Sequence, residues 1–322
     1  MNPPVLDIQG LSINYQTAIG PLQALRNVNL VVPEGKIIGI VGESGCGKST
    51  LISAIIRLLA PNAQIGQGSV CFKGEELLSL SPEQMRSLRG DKISMVFQDP
   101  MTSLNPVLTI GRQMSDVQHR SGASHAEKKA RSVMMLERVG IPDPDTQLQR
   151  YPHHLSGGMR QRVAIAMALM AEPALLIADE PTTALDATLE VQIIHRLKDL
   201  QREFGCSILF ISHHLGVIAE LCDEVVVMYA GEVVESGSMR EVFSDPKHPY
   251  TQKLLECDPA RIAQPTRELP VIEGGLPDLV NLPDGCIFRE RCSKATARCR
   301  TEQPLLSGDH HQAACHLLEP SP

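Results

Sequence analysis

Eight consecutive residues restrict the fold of this chain more than any other feature: Gly42-Glu-Ser-Gly-Cys-Gly-Lys-Ser49. They fit the pattern G-x-x-x-x-G-K-[ST], with the β-branched run Ile37–Val41 before them and an apolar helical stretch from Ser49 after them. A strand, a glycine-rich turn and a helix N-terminus, in that order, form a cradle of backbone N–H groups at positive potential. The pattern predicts that Gly42, Glu43, Ser44, Gly45, Cys46, Gly47, Lys48, Ser49 and Thr50 wrap the phosphates of a nucleoside triphosphate. Lys48 reaches the β- and γ-phosphates, and the Ser49 hydroxyl binds Mg²⁺. Cys46 fills a variable position of the loop.

A second run narrows the chemistry. Leu175-Leu-Ile-Ala-Asp179-Glu180 is an apolar strand ending in two carboxylates. Neighbouring residues at a strand end point in different directions, so the pair can serve two partners. Asp179 is placed to hold Mg²⁺ through water, and Glu180 to polarise an attacking water.

Around these motifs, residues 1–257 read as α/β, with buried strands alternating with helices such as Ala187–Glu203, where Leu189, Ile193, Ile194 and Leu197 share a face. Residues 101–157 are mostly helical, polar and charged, which predicts a helical subdomain inserted between strands. From 258 to 322 the composition shifts: Pro259, Pro265, Pro270, Pro277 and Pro283 punctuate a linker ahead of a segment holding Cys286, Cys292, Cys299 and Cys315. The formal charge of −7, 3% aromatic content and absence of Trp argue against a nucleic-acid partner, which calls for a basic face or stacking platforms. The first residues lack the basic and apolar stretches of a secretory signal, and no apolar run reaches membrane-spanning length, so a cytoplasmic protein is expected. Nine cysteines in that compartment are not a disulfide framework. Cys71, Cys206, Cys222 and Cys257 are scattered in apolar contexts and are expected to pack in the core.

Leu155-Ser-Gly-Gly-Met-Arg-Gln-Arg162, ahead of the acidic strand, resembles the signature motif of ATP-binding cassette (ABC) ATPases. On its own terms, Ser156 followed by glycines is a helix N-cap and a second anion site. The resemblance implies a P-loop fold of the ABC ATPase type and a head-to-tail dimer, in which Ser156, Gly157 and Gly158 meet the γ-phosphate of the partner's ATP. It covers the first domain in order. Tyr15 lies where an aromatic ring stacks on adenine. Gln98, in Met95-Val-Phe-Gln-Asp-Pro100, resembles the residue linking Mg²⁺ and attacking water to the transmembrane partner. Ala184-Leu-Asp186 resembles the interface loop of the dimer, and His213 the switch histidine at the γ-phosphate. Many relatives carry Asp after that histidine, whereas this chain has His214. Glu180, His213 and Gln98 are thus the implied catalytic residues, with Ser49, Gln98 and Asp179 around Mg²⁺.

Within that superfamily, Phe97-Gln-Asp-Pro-Met-Thr-Ser-Leu-Asn-Pro106, Tyr151-Pro-His-His154 and His248-Pro-Tyr-Thr251 resemble ATPase subunits of bacterial di- and oligopeptide importers; nickel and metallophore uptake relatives share these hallmarks. A soluble, non-transport ABC ATPase is the more distant alternative. The importer resemblance implies two transmembrane permease subunits, an extracytoplasmic binding protein, a second and non-identical ATPase subunit, and a peripheral seat on the cytoplasmic face of the inner membrane.

The tail reads Cys286-x5-Cys292-x6-Cys299-x15-Cys315 and lacks the C-x2–4-C pairs of most structural zinc sites. Iron–sulfur ligand spacings vary more. A short Pro-rich tail has little core of its own and gains from a metal staple. The resemblance to peptide-importer subunits implies a [4Fe–4S] cluster on these four cysteines, with zinc as the alternative. Arg289, Arg291, Arg298 and Arg300 are expected either to offset cluster charge or to form a solvated basic face. His310, His311 and His316 are read as ordinary tail residues.

Overall fold

Along strand β3 (Ile37–Val41) side chains alternate between two cores, Ile37 and Val41 joining one and Ile38 and Ile40 the other. That is the signature of a strand buried on both faces, and it organises the whole molecule. The computed structural model describes residues 3–99, 103–182, 187–258 and 270–318. β3 lies inside a seven-stranded sheet of order β11-β10-β9-β3-β8-β7-β6. Its parallel part comprises β6 (Ile93–Val96), β7 (Leu175–Asp179), β8 (Ser207–Ile211), β3 and β9 (Glu224–Tyr229). β10 (Glu232–Ser238) adds antiparallel to β9, and β11 (Gln312–Ala313) to β10.

An antiparallel sheet covers one face: β1 (Leu6–Thr17), β2 (Gly20–Val32), β4 (Ala63–Phe72) and β5 (Glu75–Glu76), in the order β2-β1-β4-β5. It sandwiches the helix Lys48–Ile55 against Ile38, Ile40, Ile177, Leu209 and Ile211 of the main sheet. The other face is covered by helices, including Gly157–Leu169, Ala187–Phe204 and Leu215–Leu221. Between β6 and β7 the chain forms helices Ile110–Val117, His125–Arg138 and Pro144–Leu148. His125–Arg138 begins with a reciprocal Ser124–Glu127 capping box, a start signal written in the sequence. Among the described residues no helix is long and apolar enough to cross a membrane.

The tail is less independent than its composition suggests. Phe288 is 1% exposed and stacks edge-on against Tyr229 and Tyr250 of the cassette, at centroid distances of 5.1 and 5.4 Å. Cys286 and Cys299 join the same core. His311, expected to be an ordinary tail residue, is buried and sits 2.7 Å from the carboxylate of Glu235, which is 0% exposed. The Lys247 and His248 amides donate to that carboxylate at 2.7 and 2.9 Å. The extension therefore borrows a core and a sheet edge, which removes the physical argument that it needs a staple in order to fold.

Candidate active site

The loop's geometry depends on two glycines. At Gly42 a Cβ would stand 2.2 Å from the Met228 carbonyl oxygen, so no other residue fits. Gly47, at φ 106°, caps the helix Lys48–Ile55 in a left-handed conformation that L side chains avoid. Lys48 folds back beneath the loop, 9% exposed, donating to the carbonyls of Gly42 at 2.6 Å and Glu43 at 3.0 Å. Its ammonium lies 3.6 Å from the Cys46 sulfur. Cys46 is fully buried, and burial raises its thiol pKa, which suits packing rather than reactivity.

The loop opens into a cavity of about 700 Å³. Lys48, Ser49, Gln98, Asp179, Glu180 and His213 all line it, although they come from four separate stretches of chain. The three residues assigned to catalysis converge on one atom. Gln98 Nε2 donates to Glu180 Oε2 at 3.1 Å, and His213 Nδ1 approaches the same oxygen at 3.3 Å. Glu180 adopts φ 45°, and its amide donates to the Ile211 carbonyl at 2.9 Å. A non-glycine residue held in the left-handed region stores strain of the kind that accumulates at functional sites, and nothing in the sequence announces it. His214 turns elsewhere, to Glu190 at 3.4 Å, which leaves His213 facing the cavity.

Asp179 carries the clearest electrostatic signature. Burial and the neighbouring Glu180 charge push its pKa up to about 6, against an opposing pull from Lys48. A carboxylate short of countercharge fits a divalent cation, and Ser49 and Gln98 line the same cavity as further oxygen donors. The fold binds this proton more tightly than the unfolded chain does. The Asp179 contribution to stability therefore declines as pH rises from about 4 to about 6 and is level above that. Mg²⁺ must displace the same proton. Mg²⁺-dependent ATP affinity is expected to hold constant above pH 6 and to fall about tenfold per pH unit well below it. Asp179→Asn should flatten that dependence; calorimetric titrations between pH 5 and 8 that show the same slope in both proteins reject the assignment.

Tyr15 also lines the cavity, its hydroxyl donating to Thr50 Oγ1 at 3.3 Å. Ser156 caps the helix Gly157–Leu169 by accepting from the Met159 amide at 3.3 Å, and is exposed. Neither it nor Gly157 or Gly158 lines this chain's own cavity. Asp186 lies outside the described residues.

Glu43 belongs to the phosphate loop, but its side chain is committed elsewhere. Arg291 of the extension grips its carboxylate through both terminal nitrogens, at 2.6 and 3.0 Å, with the arginine side chain only 5% exposed. The Glu43 amide donates to the Tyr250 hydroxyl at 3.0 Å. Of the four tail arginines, Arg298 and Arg300 are exposed, Arg298 pairing with Glu302, Arg289 pairs with Glu290, and the Arg291 side chain is buried against the phosphate loop. Leu276 and Leu279 of the same extension line the cavity as well, and no motif pointed to them.

The four cysteines of the extension lie close to one another. Cys286, Cys292, Cys299 and Cys315 share a neighbourhood, since burial, and to a lesser extent the charges of the other thiols, raise the Cys286 pKa to about 11. Among the described residues, however, no group of three or more Cys, His, Asp or Glu side chains is arranged to hold a metal. Cys206 and Cys222 are buried as expected, while Cys71 and Cys257 are only partly so.

Residues 25–183 match the family described as ABC transporter, and residues 234–299 the oligopeptide/dipeptide transporter C-terminal region. The chain is 47% identical to the probable D,D-dipeptide transport ATP-binding protein DdpD of Escherichia coli, over 98% of this chain and 97% of that one. It is 46% identical to the oligopeptide transport ATP-binding protein OppD of Bacillus subtilis, over 98% of this chain and 89% of that one. Among solved structures, the dimeric post-hydrolysis state of the cassette MJ0796 bound to ADP and Pi superposes with a TM-score of 0.66 at 30% identity. That match covers 73% of this chain and 99% of MJ0796.

Proposed function

Because the chain belongs to the ABC transporter family of ATP-binding proteins, we propose that it is the ATP-hydrolysing subunit of a bacterial importer of di- or oligopeptides. The observation that carries the ATPase chemistry is the meeting of Gln98 and His213 on one oxygen of Glu180, beside Lys48 and Asp179. The match of residues 234–299 to a peptide-transporter C-terminal region supports the cargo class.

In this reading the backbone of Gly42–Ser49 and the Lys48 ammonium bind the β- and γ-phosphates. Lys48 exchanges the Gly42 and Glu43 carbonyls for phosphate oxygens. Ser49, Asp179 and Gln98 hold Mg²⁺, which when bound neutralises charge on the β- and γ-oxygens. Glu180 accepts a proton from the attacking water. The His213 imidazole contacts the γ-phosphate, and Gln98 orients the attacking water. Ser156, Gly157 and Gly158, which are absent from their own chain's cavity, act across a head-to-tail dimer on the partner's nucleotide, with Asp186 at the interface. Closure around two ATP molecules then drives the permeases, and hydrolysis resets them.

The assembly we propose has two permease subunits, a second and non-identical ATPase and an extracytoplasmic binding protein, with this chain peripheral on the cytoplasmic face of the inner membrane. Affinity purification of the tagged chain from gently solubilised membranes tests it. Two permeases and a second ATPase are the expected partners, and cargo bound to the associated binding protein identifies the substrate. Recovery with ribosomes or DNA factors instead rejects transport while leaving the ATPase chemistry in place.

A [4Fe–4S] cluster, or zinc, on Cys286, Cys292, Cys299 and Cys315 is a separate proposal. It is supported by the resemblance and by the mutual charge coupling of the thiols, and it requires the thiols to reorganise. Anaerobically purified protein should then contain iron and absorb near about 400 nm. Folded, colourless protein without iron or zinc rejects it.

A further inference from the structure

One end of the nucleotide cavity is built for phosphate and the other is apolar. The apolar end has two walls. Tyr15, Leu22 and Ala24 belong to the antiparallel sheet, while Leu276 and Leu279 belong to the C-terminal extension, more than two hundred residues later in the chain. A nucleoside triphosphate has the same polarity, a charged chain tied to a flat, largely apolar base. With its phosphates on Gly42–Ser49, the base has this apolar end of the described cavity to occupy.

The second wall is fastened in place. The Gln23 amide on β2 donates to the Leu279 carbonyl at 2.9 Å, so the extension lies against the sheet that carries Tyr15. Val280 rests on Gly20, where a Cβ would come within 2.9 Å of its side chain. Fifteen residues beyond Leu276, the Arg291 fork closes on Glu43 of the phosphate loop. Leu276 itself touches that loop, its Cδ1 lying 3.3 Å from where a Cβ on Gly45 would stand. Yet Leu276 is 36% exposed, an apolar side chain held at the cavity rather than turned into the core. A leucine held beside the phosphate loop by an anchored segment, and left part-exposed, gains from a flat apolar group laid over it.

We propose that Leu276 and Leu279 are base-binding residues, and that the C-terminal extension completes the nucleotide site by closing the nucleobase between its two leucines and Tyr15. This deepens the nucleotide-binding reading above and rests on it. The two leucines carry no donor or acceptor to read a base edge, and the Tyr15 hydroxyl is engaged with Thr50. This wall therefore grips a base by buried area and contributes to affinity rather than to discrimination between purines.

The test separates base from phosphate. Titration calorimetry on the full-length chain with Mg²⁺ compares ATP with inorganic tripolyphosphate, which has no base. In the double variant Leu276→Ser, Leu279→Ser, ATP affinity should fall about tenfold, the scale of two leucine faces giving up part of their burial. Tripolyphosphate affinity should stay within about twofold, which also shows that the variant is folded and its phosphate loop intact. Leu276→Met with Leu279→Met should keep ATP affinity close to the parent, since methionine preserves the apolar wall. Equal losses for ATP and tripolyphosphate, no loss for either, or a methionine variant as weak as the serine one would each overturn the proposal and leave the nucleotide site standing. A parent chain that binds tripolyphosphate no less tightly than ATP instead removes the nucleotide reading itself, and this inference with it.

Discussion

Glu180→Gln should bind ATP as tightly as the parent chain and hydrolyse it about 10²–10⁴-fold more slowly, the range that a positioned general base contributes. The substitution is nearly isosteric, and the surroundings tolerate it. A glutamine carbonyl can still accept from Gln98 Nε2, and the backbone bond from residue 180 to the Ile211 carbonyl does not involve the side chain. The strained φ of 45° is set by the turn after β7 and persists. What disappears is the capacity to take a proton from water. Single-turnover hydrolysis, measured beside ATP affinity, separates the two effects. Turnover within tenfold of the parent would move the base elsewhere, and His213→Ala would become the next variant to measure.

Lys48→Ala is the second large effect, and it falls on binding. The ammonium makes two short bonds to loop carbonyls in a nearly dry position, so it is already organised where phosphate oxygens must arrive. A hydrogen bond to a charged group contributes about 1.5–3 kcal/mol, so losing two to a triphosphate should weaken ATP binding by 10² or more, roughly. The free protein is affected too. The Gly42 and Glu43 carbonyls lose a donor, and Asp179 loses the one charge that lowers its pKa, so its proton is held more tightly still. A drop in stability of about 1–3 kcal/mol should accompany the loss of affinity. Comparison of melting with and without ATP resolves them: parent and variant should differ modestly without nucleotide, and only the parent should gain stability from it. A variant stabilised by ATP as strongly as the parent contradicts the role given to Lys48.

Most of the site was legible because its signals are local. A strand, a glycine turn and a helix are contiguous, and Ser156 caps its helix through residues three apart. The paired carboxylates end a strand whose burial on both faces is visible as an unbroken apolar run. The meeting of Gln98, Glu180 and His213 came from family resemblance, since only the order β8-β7-β6 brings those strand ends together. What stayed hidden depends on contacts across the chain. Arg291 and Glu43 are 248 residues apart, and four arginines near four cysteines suggest charge balance or a solvated basic face rather than a latch. Leu276 and Leu279 sit in a Pro-punctuated stretch with no periodicity. β11 has two residues, too few for any alternation to register. The tail's share in the cassette core was hidden likewise, because Tyr229 and Tyr250, which pack on Phe288, lie far from it in the chain.

The latch between Arg291 and Glu43 also gives the molecule a clock. A chain emerges from the ribosome at about 5–20 residues per second, so the phosphate loop is exposed about 10–50 s before the arginine that grips it has been made. During that interval the cassette can fold its parallel sheet while one wall of its nucleotide site is still missing. The lining that Leu276 and Leu279 give the cavity therefore arrives late in synthesis.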